Sequence, residues 1–227
     1  MDIWSTSQQA VQLLISGDTA LWGIVGVSFS VSLLIPALAM GFALSYGKFP
    51  GRWLTLSIIN TFQSVPTVVI GLLLYMLLSR SGPLGDWNML FTQRAMMIGQ
   101  ILICFPILVS MIHAAFQSSD RRAWETALTL GAGLPRAFFS LMWENRFPLL
   151  AAMITAFSRI VTEVGCAMMV GGNILNTTRN IPTAIALESS KGAFAQGVAL
   201  GMVLLLLALI LNFCLSVARG KGHLRTN

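Results

Sequence analysis

Charge is what this sequence has least of. Ionisable Asp, Glu, Lys and Arg make up 10% of its 227 residues, against roughly 25% in soluble domains, while 56% are hydrophobic and the mean hydropathy is +0.77. So little charge cannot coat a soluble globule, and an integral membrane protein is expected. The 2 histidines, His113 and His223, stand apart, and the 3 cysteines, Cys104, Cys166 and Cys214, lie inside apolar runs. They offer no metal-ligand spacing and no disulfide framework. A GxxxxGK[ST] phosphate loop, an HExxH pair and a GxSxG elbow are all missing, which argues against ATP hydrolysis on this chain and against an intramembrane enzyme. The start of the chain has Asp2 and no basic cluster, unlike a cleaved signal peptide. Residues 1–20 read as an extracytoplasmic segment with a short interfacial helix, anchored by Trp4. The net charge of +6 is dispersed between apolar runs and forms no basic stripe, so nucleic acid is not expected as a partner.

What is present is apolar length. Five runs, 21–44, 54–78, 95–116, 149–170 and 198–217, are each near the ~20 residues that a bilayer core requires. The expected fold is therefore all-α and polytopic, with about five transmembrane helices in one domain covering residues 1–227. An odd number of spans puts the termini on opposite sides. With the C-terminus inside, nine of the 14 Lys and Arg residues fall on the cytoplasmic side and four outside. That asymmetry predicts N-out and C-in, with 118–147 a cytoplasmic loop and 218–227 a cytoplasmic tail.

Polar residues inside these runs are the candidate functional groups. Asn60, Gln63, Ser64 and Thr67 crowd around Pro66 in the second run and are expected to face the bundle interior or a wet path, as candidate pore lining. Prolines also interrupt the first run at Pro36 and the third at Pro106, where kinks are expected. In the fourth run Arg159 and Glu163 stand four residues apart, hence on one face of a continuous helix. Each would cost about 2.5–3.5 kcal/mol at mid-membrane, so they are expected either to pair as a structural ion pair or to line a translocation path. Gly171 and Gly172 are placed to end that helix. Between the fourth and fifth runs a short lateral helix is expected after Pro182, preceded by a polar cluster, Thr177 to Asn180, that reads as solvated loop or as a contact for an outer partner or anion. The fifth run is smoothly apolar and suits lipid contact.

The loop at 118–147, SSDRRAWETALTLGAGLPRAFFSLMWENRF, is too patterned to be slack and too charged to span. Asp120 can cap a helix that carries Trp124 and Leu128 on one side and ends at Gly131. Pro135 suits the first turn of a second helix presenting Phe138, Phe139, Leu141 and Met142. Two short helices joined at a glycine make an elbow suited to a groove in another protein.

Glu125-Thr126-Ala127 followed by Gly131 resembles the EAA…G cytoplasmic loop of ABC-importer permeases, with Thr126 in place of the usual Ala. The Leu-Pro pair expected a dozen residues after the glycine is replaced by Trp143-Glu144, with Pro148 beyond, which leaves the second helix less well matched than the first. The segment SRIVTEVGCAMMVGGNILNTTRNIPTAIALE and the second-run stretch SVPTVVIGLLLY are similar to oxyanion-importer permeases, most of all to the tungstate type. The resemblance implies a type I ABC importer permease fold and a homodimer in the cytoplasmic membrane. It also implies two ATPase subunits and an extracytoplasmic oxyanion-binding protein as partners. Glu125, Ala127 and Gly131 would couple to the ATPase; this chain would bind no cofactor, with ATP used on the partner. Molybdate or sulfate is the alternative cargo, and a membrane scaffold that transports nothing is the alternative class.

Overall fold

The computed structural model describes residues 31–47, 49–175 and 177–223. The helix expected near Trp4, the first ten residues of the first apolar run and the last four residues of the tail lie outside the described residues. Among the described residues the chain is helical, without strands. In order the helices are α1 (Val31–Tyr46), α2 (Arg52–Ser64), α3 (Thr67–Leu78), α4 (Gln93–Gln117), α5 (Arg121–Thr129), α6 (Leu134–Glu144), α7 (Arg146–Val161), α8 (Gly165–Gly171), α9 (Ile181–Ser190) and α10 (Phe194–His223), with a single 3-10 turn at Gly85–Trp87.

The bundle is built on α4. Its 25 residues give a rod of roughly 37 Å at 1.5 Å per residue, longer than the ~30 Å hydrocarbon core. Thr92 caps it by accepting from the Ala95 amide at 3.4 Å, and Pro106 sits inside it without ending it. α1, α2, α3, α7 and α8 all pack against it. Met96, Gln100, Cys104, Leu108, Val109 and Ile112 are buried as a result.

The second and fourth apolar runs are not straight spans. α2 and α3 meet at 95°, and α7 and α8 at 54°. Pro66 explains the first break: it has no N–H to give the preceding turn, and the residue before it, Val65, is driven to extended dihedrals (φ −69°, ψ 128°). The second break has no proline. It falls in Val161-Thr162-Glu163-Val164, three of them β-branched, and side chains take over the backbone's partners there. Thr162 Oγ1 donates to the carbonyls of Ser158 (3.0 Å) and Arg159 (3.3 Å), while a Glu163 carboxylate oxygen accepts from the Cys166 amide (3.0 Å).

Both broken pairs pack against α4. α2 lies on the C-terminal half of α4, where Ser110 Oγ donates to Asn60 Oδ1 (3.1 Å); α3 and α8 lie on its N-terminal half, beside Gly99. By length and composition α4 is long and apolar enough to cross a membrane alone, and the described helices make up to three spans if each bent pair counts as one; Leu33–Tyr46 of α1 and Phe194–Ile210 of α10 are shorter apolar stretches. α10 packs on α9 and α7 and exposes Val198, Met202, Leu205, Leu206, Leu209, Ile210 and Phe213, the surface expected of a lipid-facing helix.

The short helix α8 fits between α3 and α4 because glycines face it. A Cβ on Gly71 would stand 2.8 Å from the Cys166 Cα, and one on Gly99 would stand 2.5 Å from the Cys166 Sγ. The first obstacle is backbone and the second a side chain, so the two sites are expected to respond differently. Gly71→Ala and Gly99→Ala should each lower the stability of the purified protein by about 1–3 kcal/mol, read as the midpoint of thermal unfolding in detergent. Adding Cys166→Ala should restore much of the loss at Gly99 and none at Gly71; equal rescue at both would contradict this packing.

Candidate functional site

The loop at 118–147 folds as two short helices. Asp120 accepts from the Arg122 amide at 2.9 Å and starts α5. The end of α5 is a Schellman turn: the Ala132 amide reaches back to the Ala127 carbonyl and the Gly131 amide to Leu128, each at 3.0 Å. That turn needs a left-handed residue, and Gly131 supplies it at φ +81°. Pro135 falls in the first turn of α6. The expected elbow is present, with Glu125 exposed on α5, Ala127 half-buried and Gly131 at the bend.

The second helix divides its apolar residues between two faces. Leu141 is buried and Phe138 and Met142 pack into the core. Phe139 (68% exposed) and Trp143 (73%) point outward, and with Leu130 (82%) and Leu134 (67%) they give the elbow an open apolar edge. An apolar edge on a polar loop marks an interaction surface.

The inner face is held by an aromatic cluster that the sequence reading did not single out. Phe42 of α1 meets Trp124 of α5 (centroids 5.1 Å apart), Phe138 of α6 (4.8 Å) and Phe116 of α4 (5.8 Å), all near edge-to-face. Tyr46, one turn along α1, stacks on Phe42 and lies 5.4 Å from Trp124. Polar ties reinforce it. Arg121 donates to the Ser45 carbonyl (3.3 Å), Ser45 Oγ lies 2.8 Å from His113 Nδ1 of α4, and the buried Asn145 amide donates to Ser119 Oγ (3.1 Å). The Phe42 and Tyr46 spacing of four residues was the available signal in the sequence. The elbow is thereby fastened to α1 and α4, not hinged loosely on the chain.

The second constellation is the pair of helix breaks, which meet at one level of the bundle. A Cβ on Gly165, the first residue of α8, would stand 2.6 Å from Val68 Cγ2 and 3.0 Å from Thr67 Oγ1 at the start of α3. The polar residues around Pro66 gather here. Asn60, Gln63 and Ser64 are exposed and Thr67 is half-buried. Gln63 Nε2 reaches the Pro106 carbonyl at 3.5 Å, so both Pro66 and Pro106 border one patch.

Arg159 and Glu163 do not share a helix face and do not pair. α7 ends at Val161, so the i,i+4 register between them is lost at the break. Among the described residues the one ion pair is Lys191–Glu188. Glu163 is 3% exposed and serves as an N-terminal cap for α8, whereas Arg159 is exposed in the last turn of α7.

The polar cluster after α8 is structural. Thr178 is fully buried, accepting from the Ile174 amide (2.9 Å) and donating to the Gly171 carbonyl (2.6 Å). Asn180 and Thr183 form a capping box for α9, and Arg179 is taken up by Asn173. No group of three or more His, Cys, Asp or Glu side chains gathers among the described residues to hold a metal.

Comparison with known proteins bears on the whole arrangement. Residues 22–219 match the family described as binding-protein-dependent transport system inner membrane component. The chain is 34% identical over 209 residues to the tungstate uptake system permease protein TupB of Peptoclostridium acidaminophilum, covering 89% of this chain and 92% of that protein. It is 38% identical over 205 residues to a probable anion ABC transporter permease protein of Haloferax volcanii, covering 86% and 88%. To TupB of Campylobacter jejuni it is 41% identical over 156 residues, 69% of this chain but 65% of that protein, just under two thirds of its length.

Two outcomes are expected of these contacts. Glu163→Gln keeps an acceptor for the Cys166 amide and should leave thermal stability nearly unchanged, Glu163→Ala should cost about 1–3 kcal/mol, and Arg159→Gln should fall within about 0.5 kcal/mol of the parent. Matched losses for Arg159→Gln and Glu163→Ala would restore the ion pair. Phe42→Ala should cost about 3 kcal/mol and free both elbow helices together, seen as faster limited proteolysis within 118–147.

Proposed function

The chain belongs to the family of binding-protein-dependent transport system inner membrane components, and on that premise we propose that it is the permease of a tungstate importer. It is a multi-pass protein of the inner membrane and a subunit of an ABC transporter rather than an enzyme. Family membership implies an ATPase and a substrate-binding protein as partners.

The observation that carries the mechanistic reading is the elbow, with its open apolar edge outward and its aromatic face locked onto α1 and α4. The proposal places Leu130, Leu134 and Phe139 in a groove of the ATPase, with Glu125, Ala127 and Gly131 setting the shape that fits it. ATP bound and hydrolysed on that partner moves the elbow. Because Phe42 joins α5, α6 and α1, the movement passes to the bundle as a rigid-body shift and not as a local loop change.

Translocation is assigned to the level where the two helix breaks meet. Exposed Asn60, Gln63 and Ser64 at that depth would be costly against lipid tails, which supports a second copy of the chain enclosing them around a path. Neutral amides and hydroxyls can guide a dianion by hydrogen bonds without trapping it. Arg159, exposed and unpaired among the described residues, supplies a cation near the same level of α7. The orientation that goes with this reading is N-terminus outside and C-terminus inside, with the elbow in the cytoplasm, which the distribution of basic residues supports.

The elbow geometry gives a sharp test. Nothing lies within 4 Å of a Cβ built on Gly131, so its only demand is the positive φ. Asn accepts that conformation and Val does not. Cells carrying Gly131→Asn should therefore keep most tungstate uptake, and Gly131→Val should lose at least tenfold with the protein still in the membrane. Uptake of tungstate, molybdate and sulfate is measured by elemental analysis in the same cells. Loss of molybdate or sulfate instead would change the cargo and keep the mechanism; normal uptake by Gly131→Val would remove the coupling role.

A further inference from the structure

Where α1, α2, α4 and the start of α5 converge, beside the elbow, lies a cavity of about 400 Å³, open on one side and lined by Ser45, Tyr46, Arg52, Phe116, Gln117 and Arg121. Ser45 and Phe116 form a buried floor, at 3% and 1% exposure. Two of the six lining side chains are guanidinium groups and none is a carboxylate.

The polar groups around this space are under-used. Arg52 Nε is buried without a hydrogen-bond partner, and no ion pair among the described residues involves Arg52 or Arg121. Arg121 spends one N–H on the Ser45 carbonyl, leaving four donors of its fork. The Tyr46 hydroxyl is also buried; it lies close to Ser119 without completing a hydrogen bond of ordinary geometry. Arg52 stands in the first turn of the 13-residue α2, whose N-cap residue Gly51 offers no side-chain acceptor. Buried donors left unmet cost free energy, and several donors converging from two arginine forks match a ligand that is nearly all acceptor.

We propose that this cavity is a binding site for a tetrahedral oxyanion, held between Arg52 of α2 and Arg121 of α5. The ligand is either a free oxyanion of the tungstate or phosphate kind or the phosphate of an anionic lipid headgroup, which present the same oxygens. Bound there, it bridges the start of α2 to the start of the elbow and braces one against the other. The site is separate from the helix breaks and does not rest on the cargo assigned above.

The test uses the full chain in phospholipid nanodiscs. In discs of phosphatidylcholine alone, tungstate and inorganic phosphate are titrated at low salt by calorimetry; in discs containing phosphatidylglycerol, retained lipid is counted by native mass spectrometry. Arg52→Gln and Arg121→Gln are each expected to weaken binding at least tenfold, with Arg52→Lys between them and the parent. Loss of tungstate or phosphate binding in these variants identifies a free anion. Tight phosphatidylglycerol retained by the parent and lost in the variants, without free-anion binding, identifies the lipid phosphate. Unchanged binding of both ligands overturns the site. So does an Arg52→Gln protein that loses only its grip on the ATPase, since the cavity would then receive a carboxylate of that partner. Arg52 makes no side-chain hydrogen bond within the described chain, so Arg52→Gln should fold, and its unliganded melting midpoint checks this; if Arg121→Gln fails to fold, Arg52→Gln decides alone.

Discussion

A helix that breaks inside lipid must find new partners for the backbone groups it frees, and that constraint organises this protein. Lipid offers no such partners, and each group left unmet there costs several kcal/mol. The chain breaks two of its apolar runs and answers each break locally. Thr162 and Glu163 serve the second. At the first, Ser64 Oγ donates to the Asn60 carbonyl and the start of α3 closes on the Pro66 carbonyl. Both breaks then lean on α4, the one uninterrupted helix among the described residues that is long and apolar enough to cross alone. Without that rod there would be no common level at which they could meet.

From the same constraint follows a division of labour between the two ends of the bundle. At one end, Thr178, Asn180 and Thr183 spend their polar atoms closing the chain between α8 and α9, so that region is closed by hydrogen bonds. At the other, the connection is made by rings. Edge-to-face contacts around Phe42 hold the elbow through apolar area, and the edge of the elbow that is not used inward is left open. A single aromatic residue thereby links the elbow, with its open apolar edge, to both α1 and α4. The arginine-lined cavity sits at the same junction.

Much of this was legible in advance. Low charge and long apolar runs pointed to a polytopic helical protein. Asp120, Gly131 and Pro135 marked the elbow because caps, left-handed turns and first-turn prolines are local effects that depend on a few neighbouring residues. Pro66 and its polar neighbours marked the first break for the same reason. Arg159 and Glu163 misled, because an i,i+4 spacing means one face only if the helix is continuous, and the break carries no proline, only the weaker signal of β-branched Val161, Thr162 and Val164 before Gly165. The Thr177 to Asn180 cluster misled likewise: loop-like composition concealed a buried threonine.

By itself, then, the sequence determined the class of the protein, the bend of the elbow and the site of one break, since each follows from residue chemistry acting over a turn or two. The tertiary structure alone decided that the two breaks share a level, that Phe42 carries the elbow, that Arg52 and Arg121 face one cavity, and that Glu163 is a cap instead of an ion-pair partner. Those facts depend on which residues from distant segments arrive together around α4. That arrangement is set by close approach at Gly71, Gly99 and Gly165, which composition and periodicity cannot express.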